Sequence, residues 1–139
     1  MSERFVVDNS VVMSWCFGDE TNPYADSVLD CLKEREAIVP AIWPLEVVNV
    51  LLVAERKNRI NEADSWRFVT LLLQLPIHVE HEGQERMMKD LLMFGRVNGL
   101  SSYDASYLNL AMAKGVPLAT LDRKLIEAAR AVDIGILKV

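Results

Sequence analysis

Five short runs of β-branched and apolar residues, each separated from the next by a stretch of helical periodicity, constrain this chain more than any other feature. They are Phe5-Val6-Val7, Ala37-Ile38-Val39, Ile77-His78-Val79, Pro117-Leu118-Ala119-Thr120 and Gly135-Ile136-Leu137, and each reads as a strand. Strands joined through helices pair in parallel by right-handed crossovers, with helices on both faces of the sheet. The expected fold is therefore α/β: a three-layer α/β/α sandwich around a central, mainly parallel sheet of about five strands. No repeat, low-complexity tract or linker rich in Pro, Gly or Ser interrupts the pattern, so residues 1–139 are expected to form a single domain. With 51% hydrophobic positions, the chain has enough apolar surface for a core of ordinary size.

The helices carry their own punctuation. Asn22 before Pro23 has the N-cap then N1 arrangement, and Ala25, Val28, Leu29 and Leu32 continue an apolar stripe to about Arg35. A second helix is expected from about Pro44 to Lys57. A third starts at Asn61 with Asp64 and runs to about Leu75, where Pro76 stops it. Glu82 to Asn98 closes at Gly99, Ser101 to Lys114 closes at Gly115, and a last helix spans Asp122 to about Val132. In such a sheet, ligands bind beyond the carboxyl ends of the strands, near the point where strand order reverses.

Composition removes several classes of function. Fifteen Lys plus Arg against twenty Asp plus Glu give a net charge of −5, without the basic footprint of a typical nucleic-acid binder. Cys16 and Cys31 lack both metal-ligand spacing and the density of a disulfide scaffold, so buried free thiols in a reducing compartment are expected. The first ten residues lack the apolar stretch of a signal peptide. The longest uncharged run, residues 68–79, is 12 residues and contains a proline, whereas a membrane span needs roughly 18 apolar residues. A cytoplasmic protein with no membrane partner is expected.

Four acids stand where this geometry aims them at one place. Asp8 ends the first strand, where an Asx-turn or N-cap would also account for it. Glu46 sits in a helix of Val47, Val48, Val50, Leu51, Leu52 and Val53. A helix apolar on nearly every side is buried, and a carboxylate within it is costly unless paired or metal-bound, which marks Glu46 as a site residue. Asn49, one turn on, shares its face and is a candidate to orient it or touch a substrate. Asp104 follows Ser101 at capping-box spacing, and capping accounts for it as well as catalysis does. Asp122 follows the fourth strand and opens the last helix, with Thr120 two residues before it. Together the four lie on the loop edge of a parallel sheet, where carboxylates repel unless a cation joins them. Oxygen-only ligands suit Mg²⁺ or Mn²⁺, and such ions bind substrate phosphate. Metal and phosphate together indicate phosphodiester hydrolysis by metal-activated water. His78 and His81 lie at the third strand, where alternation points them to opposite faces, so they are not read as a metal pair.

Four segments then resemble the PIN-domain family, most closely the VapC-like ribonuclease toxins of type II toxin–antitoxin pairs. Residues Val6 to Val12 look like the family's opening strand with Asp-x-Ser, and Pro44 to Leu51 look like its Glu-bearing helix. Ser102 to Leu108 resembles the Tyr-Asp-Ala segment, and Ala119 to Leu125 resembles the Thr-x-Asp ending. The resemblance implies metal ligation and catalysis by Asp8, Glu46, Asp104 and Asp122, with Ser10, Asn49 and Thr120 as supporting polar residues. It also implies one or two Mg²⁺ or Mn²⁺ ions, cleavage of RNA, a homodimer and inhibition by a cognate VapB-like antitoxin. Where some relatives carry a further acid, this chain has Lys124 beside Arg123. These two are candidate contacts to RNA phosphates, with an ordinary helix-surface pair as the alternative. Trp15 and Phe17, following Asp8, are candidates for a partner surface.

Other readings compete: a housekeeping RNA-processing nuclease of the same fold, or a Mg²⁺-binding phosphotransfer domain of receiver type. A receiver needs paired acids after the first strand and an aspartate after the third. This chain has a lone Asp8 and no aspartate after Ile77-His78-Val79. The acidic balance also has a local origin. With four acids assigned to one pocket, sixteen remain against fifteen bases, and two divalent ions would bring −5 to −1.

Overall fold

The computed structural model describes residues 3–139; Met1 and Ser2, part of the N-terminal stretch read above, lie outside the described residues. The elements run β1 (Arg4–Val7), α1 (Asn9–Cys16), a 3₁₀ turn (Gly18–Glu20), α2 (Pro23–Cys31), β2 (Glu36–Pro40), α3 (Trp43–Arg56), α4 (Glu62–Gln74), β3 (Ile77–Glu80), α5 (Gln84–Asn98), α6 (Ser102–Lys114), β4 (Leu118–Ala119) and α7 (Arg123–Ala131). The sheet order is β3-β2-β1-β4, and every pairing between these strands is parallel. Phe5, Val6, Val7, Ala37, Ile38 and Val39 have no exposed surface, because helices cover both faces of β1 and β2.

Helix α6 lies against β1, β2 and β4 and touches α5 and α7, while α1 packs with α2 and α3. The run Ala105 to Ala111 is buried without a break, as expected of the helix laid across a sheet. The caps explain the boundaries. Asn22 accepts from the Ala25 N–H, Asn61 and Asp64 form a reciprocal capping box, and α5 and α6 end at Gly99 and Gly115 with φ of 63°.

Three expectations need correction. Of about five predicted strands, four form; Gly135-Ile136-Leu137 makes only an isolated parallel bridge, Leu118 to Ile136. The reason is local: β4 has two residues, Leu118 and Ala119, and the approaching chain turns at Asp133, φ 60°. Helix α2 stops at Cys31 instead of Arg35, since Glu36 pairs with Arg4 and the chain has to be extended by then. Helix α3 is not buried all round, for Leu45, Val48 and Leu52 are 67%, 48% and 43% exposed. Cys16 and Cys31 are half-buried and not joined in a disulfide. Among the described residues no helix is long and apolar enough to cross a membrane.

Candidate functional site

The strand order turns at β1, with β2 and β3 to one side and β4 to the other. The crevice beyond the carboxyl ends of β1 and β4 is the switch point of the sheet. Asp8 is the residue after β1. Its backbone N–H donates to the Ala119 carbonyl at 2.9 Å, which locks the ends of the two strands together. Its carboxylate is buried, and hydroxyls surround one oxygen: Oδ2 accepts from Ser10 Oγ at 2.6 Å and from Thr120 Oγ1 at 2.9 Å. Ser10 Oγ in turn accepts from the Leu121 N–H at 3.0 Å, and Thr120 Oγ1 from the Asp122 N–H at 3.0 Å. The Asp-x-Ser and Thr-x-Asp segments are thus halves of one clasp.

Burial pushes the Asp8 carboxyl up from its ordinary value, while the Ser10 and Thr120 hydroxyls and the Ser10 and Asn9 backbone N–H groups pull it down. Glu46, in the first turn of α3, is half-buried and is also raised. Burial is the main cause; the Tyr107 hydroxyl opposes it, and the charges of Asp8 and Asp104 add to it. Asp104, in the first turn of α6, is raised by burial and by Asp8 and Asp122, and lowered by Ser101 and by the Lys124 ammonium. Four carboxylates from two strand ends and two helix starts therefore feel one another. As placed, no three of them close into a ready cage for one ion among the described residues.

Capping accounts for part of this placement. Asp8 caps α1 by accepting from the Ser10 N–H, and Asp122 caps α7 through Oδ1 and the Lys124 N–H at 2.9 Å. At α6 the cap is Ser101, which accepts from the Asp104 N–H at 3.1 Å and leaves the Asp104 carboxylate to face the other acids. Glu46 caps nothing. Asn49 is exposed and lines a shallow crevice with Glu46, Val50 and Tyr103. Lys124 reaches Asp104 electrostatically, whereas Arg123 is simply exposed at the start of α7.

Sequence reasoning missed Tyr107. It has no exposed surface, and its hydroxyl donates to Glu46 Oε1 at 2.6 Å across 61 residues of chain. The available signal was spacing: Tyr107 follows Asp104 by three on the same helix face. Trp15 and Phe17, in contrast, serve packing. Trp15 donates to the Ala25 carbonyl at 2.8 Å, and Phe17 is buried with the Arg59 guanidinium 3.8 Å over its ring. His78 and His81 are exposed, away from the crevice, with His78 3.9 Å from Glu36.

The PIN domain family model matches residues 5–131. Ribonuclease VapC3 of Pyrobaculum aerophilum is 26% identical over 124 residues, which span 89% of this chain and 93% of that protein. Among solved structures, PAE2754 from Pyrobaculum aerophilum superposes with a TM-score of 0.70 at 22% identity, covering 91% of this chain and 84% of that one. VapBC2 from Rickettsia felis, bound to a DNA fragment from its promoter, gives 0.68 at 12% identity, covering 96% of this chain and 97% of that one.

Proposed function

Because the chain belongs to the PIN-domain family, we propose that it is a metal-dependent endoribonuclease, the toxin of a VapBC-type pair, acting in the cytoplasm as a single nuclease domain. The observation that carries the reading is the convergence of Asp8, Glu46, Asp104 and Asp122 on the switch point of the sheet, where the charges of Asp8 and Asp104 help raise Glu46 and those of Asp8 and Asp122 help raise Asp104. That electrostatic tension is relieved by a cation.

The donor set fits a hard divalent ion. All four groups are carboxylates, with His78 and His81 exposed on the β3 side and neither cysteine among them. Oxygen-only sites suit Mg²⁺ or Mn²⁺. When bound, one or two such ions supply a water of lowered pKa and counter-charge for phosphate oxygens. The chain's own residues do the rest. Asp8, Glu46, Asp104 and Asp122 hold the ions, Ser10 and Thr120 fix Asp8, and Asn49 lines the path to Glu46. Lys124 and Arg123 stand at the mouth to meet RNA phosphates.

The proposed assembly is a homodimer, silenced by a VapB-like antitoxin. Its support is exposed apolar surface: Leu45 and Tyr103, which line the crevice with Glu46, and Val48 on α3 and Met88, Leu92 and Val97 on α5. Leu92→Glu with Val97→Glu is expected to halve the mass in light scattering. The function itself is tested by Asp8→Asn, which keeps shape and removes charge. Mg²⁺-dependent RNA cleavage and growth arrest on expression should both disappear; cleavage retained by a nuclease-free preparation sinks the reading. A growth arrest relieved by a co-expressed neighbouring antitoxin distinguishes a toxin from a housekeeping nuclease.

A further inference from the structure

A crevice of about 350 Å³ opens beside the acidic cluster, lined by Ile42, Leu45, Glu46, Asn49, Val50 and Tyr103. It shares Glu46 with the cluster, and its other polar side chains belong to close neighbours of the site acids. Asn49 lies one turn beyond Glu46 on α3, and Tyr103 precedes Asp104 in the first turn of α6. Both side chains are exposed, Tyr103 by 54%. Among the described residues, neither the Asn49 amide nor the Tyr103 hydroxyl has a hydrogen-bond partner. An aromatic ring left in solvent at the rim of a crevice with apolar walls is a surface on which another flat ring can stack. An amide at the same crevice offers a donor and an acceptor side by side, which suits it to the edge of a base.

We propose that this crevice is a base subsite: the nucleotide beside the scissile phosphate is single-stranded, stacks its base on the Tyr103 ring and presents its edge to the Asn49 amide, with adenine preferred. This rests on the ribonuclease reading given above. An RNA whose phosphodiester meets the carboxylates has to lodge an adjoining nucleotide next to them, and this recess includes Glu46 in its wall. The base has to be unstacked, because ring faces and edges are open to a protein in single strands, loops and bulges but not inside an RNA duplex. Adenine fits because its exocyclic amine and ring nitrogen form the donor and acceptor pair that an amide matches with two bonds. The Glu46 carboxylate, an acceptor at the same recess, favours an amine over the carbonyl edges of uracil and guanine. Stacking supplies affinity for any base, and the amide supplies the choice. An antitoxin covering Leu45 and Tyr103 would exclude this base.

The test uses the full chain, Mg²⁺ and single-stranded RNA of random sequence, with the newly made ends sequenced. Adenine should be enriched at one fixed position next to the cut. Asn49→Ala should reduce that preference about ten-fold, as the loss of one two-bond base contact does. Tyr103→Ala should raise KM about ten-fold on every sequence with kcat held, and Tyr103→Phe, which keeps the stacking face, should restore it. Both side chains stand in solvent, so neither substitution removes core packing. Cleavage with no base preference, or with another base preferred, overturns the subsite and leaves the ribonuclease reading standing. The same holds if the preference and KM are unmoved by these substitutions, the result expected if the crevice seats a peptide instead. A wild-type chain that cleaves no RNA refutes the ribonuclease reading and this one with it.

Discussion

Asp8 serves two opposed demands under the proposed function, since it is buried at the edge of the core and would have to carry charge to hold a cation. Burial raises its pKa above the 3.8 of an ordinary aspartate. The folded form therefore keeps a proton that the unfolded form releases. The resulting stability is complete below the unfolded pKa and is lost as pH rises through the raised folded value. In chelator, Asp8→Asn should thus melt above wild type at pH 7, and the difference should shrink as pH falls toward the ordinary aspartate range, as differential scanning calorimetry would show. Thr120→Val tests the clasp that holds Asp8. It deletes a donor to Asp8 Oδ2 and an acceptor for the Asp122 N–H, and urea unfolding should register a loss of roughly 1–3 kcal/mol. Ser10 and Thr120 were expected as supporting residues from the resemblance of the Asp-x-Ser and Thr-x-Asp segments to the PIN-domain family. The bond between Tyr107 and Glu46 was not, because nothing local to either residue announces the other.

At the scale of elements, several acids of the site double as helix punctuation, which is why single residues looked ambiguous in the sequence. Asp122 accepts from the Lys124 N–H at the start of α7 while its charge acts on Asp104. The two roles separate by substitution. Asp122→Asn keeps a capping oxygen and removes the charge, so cleavage should fall with little change in stability. Asp122→Ala should lose cleavage and, in addition, about 1 kcal/mol in denaturant titration. Equal stability of the two variants would show that the cap is not what holds α7. Capping signals also made most helix starts readable: Asn22, Asn61 and Ser101 each cap the helix they were expected to open. The end of α2 was not readable, because the pairing of Glu36 with Arg4 decides it from another element.

Across the whole molecule, the charge of −5 is unevenly distributed, with four acids at one switch point and Lys124 beside them. RNA affinity should therefore be weak in chelator and rise with Mg²⁺. If Lys124 and Arg123 each meet a phosphate, replacing both by alanine should lower the salt slope of RNA binding by about 1 to 2 and weaken all sequences alike. An unchanged slope in fluorescence anisotropy assigns them instead to an ordinary helix surface. The apolar side chains left exposed on α3 and α5 belong to this scale too. A reading of α3 as buried on every side overlooked that an apolar face can be reserved for another surface.

Alternating strand and helix patterns determined the α/β fold by themselves, because a strand followed by a long helix can rejoin the sheet only by a parallel crossover. Local chemistry likewise placed Asp8, Glu46, Asp104 and Asp122 at strand ends and helix starts. What the tertiary structure alone decided is long-range. It reduced the fifth strand to a bridge, since β4 offers two residues for pairing. It brought Ser10 and Thr120, 110 residues apart, onto the same carboxylate. It also set Tyr107 behind Glu46, a contact that depends on α6 lying across the sheet toward α3 and that neither segment could specify alone.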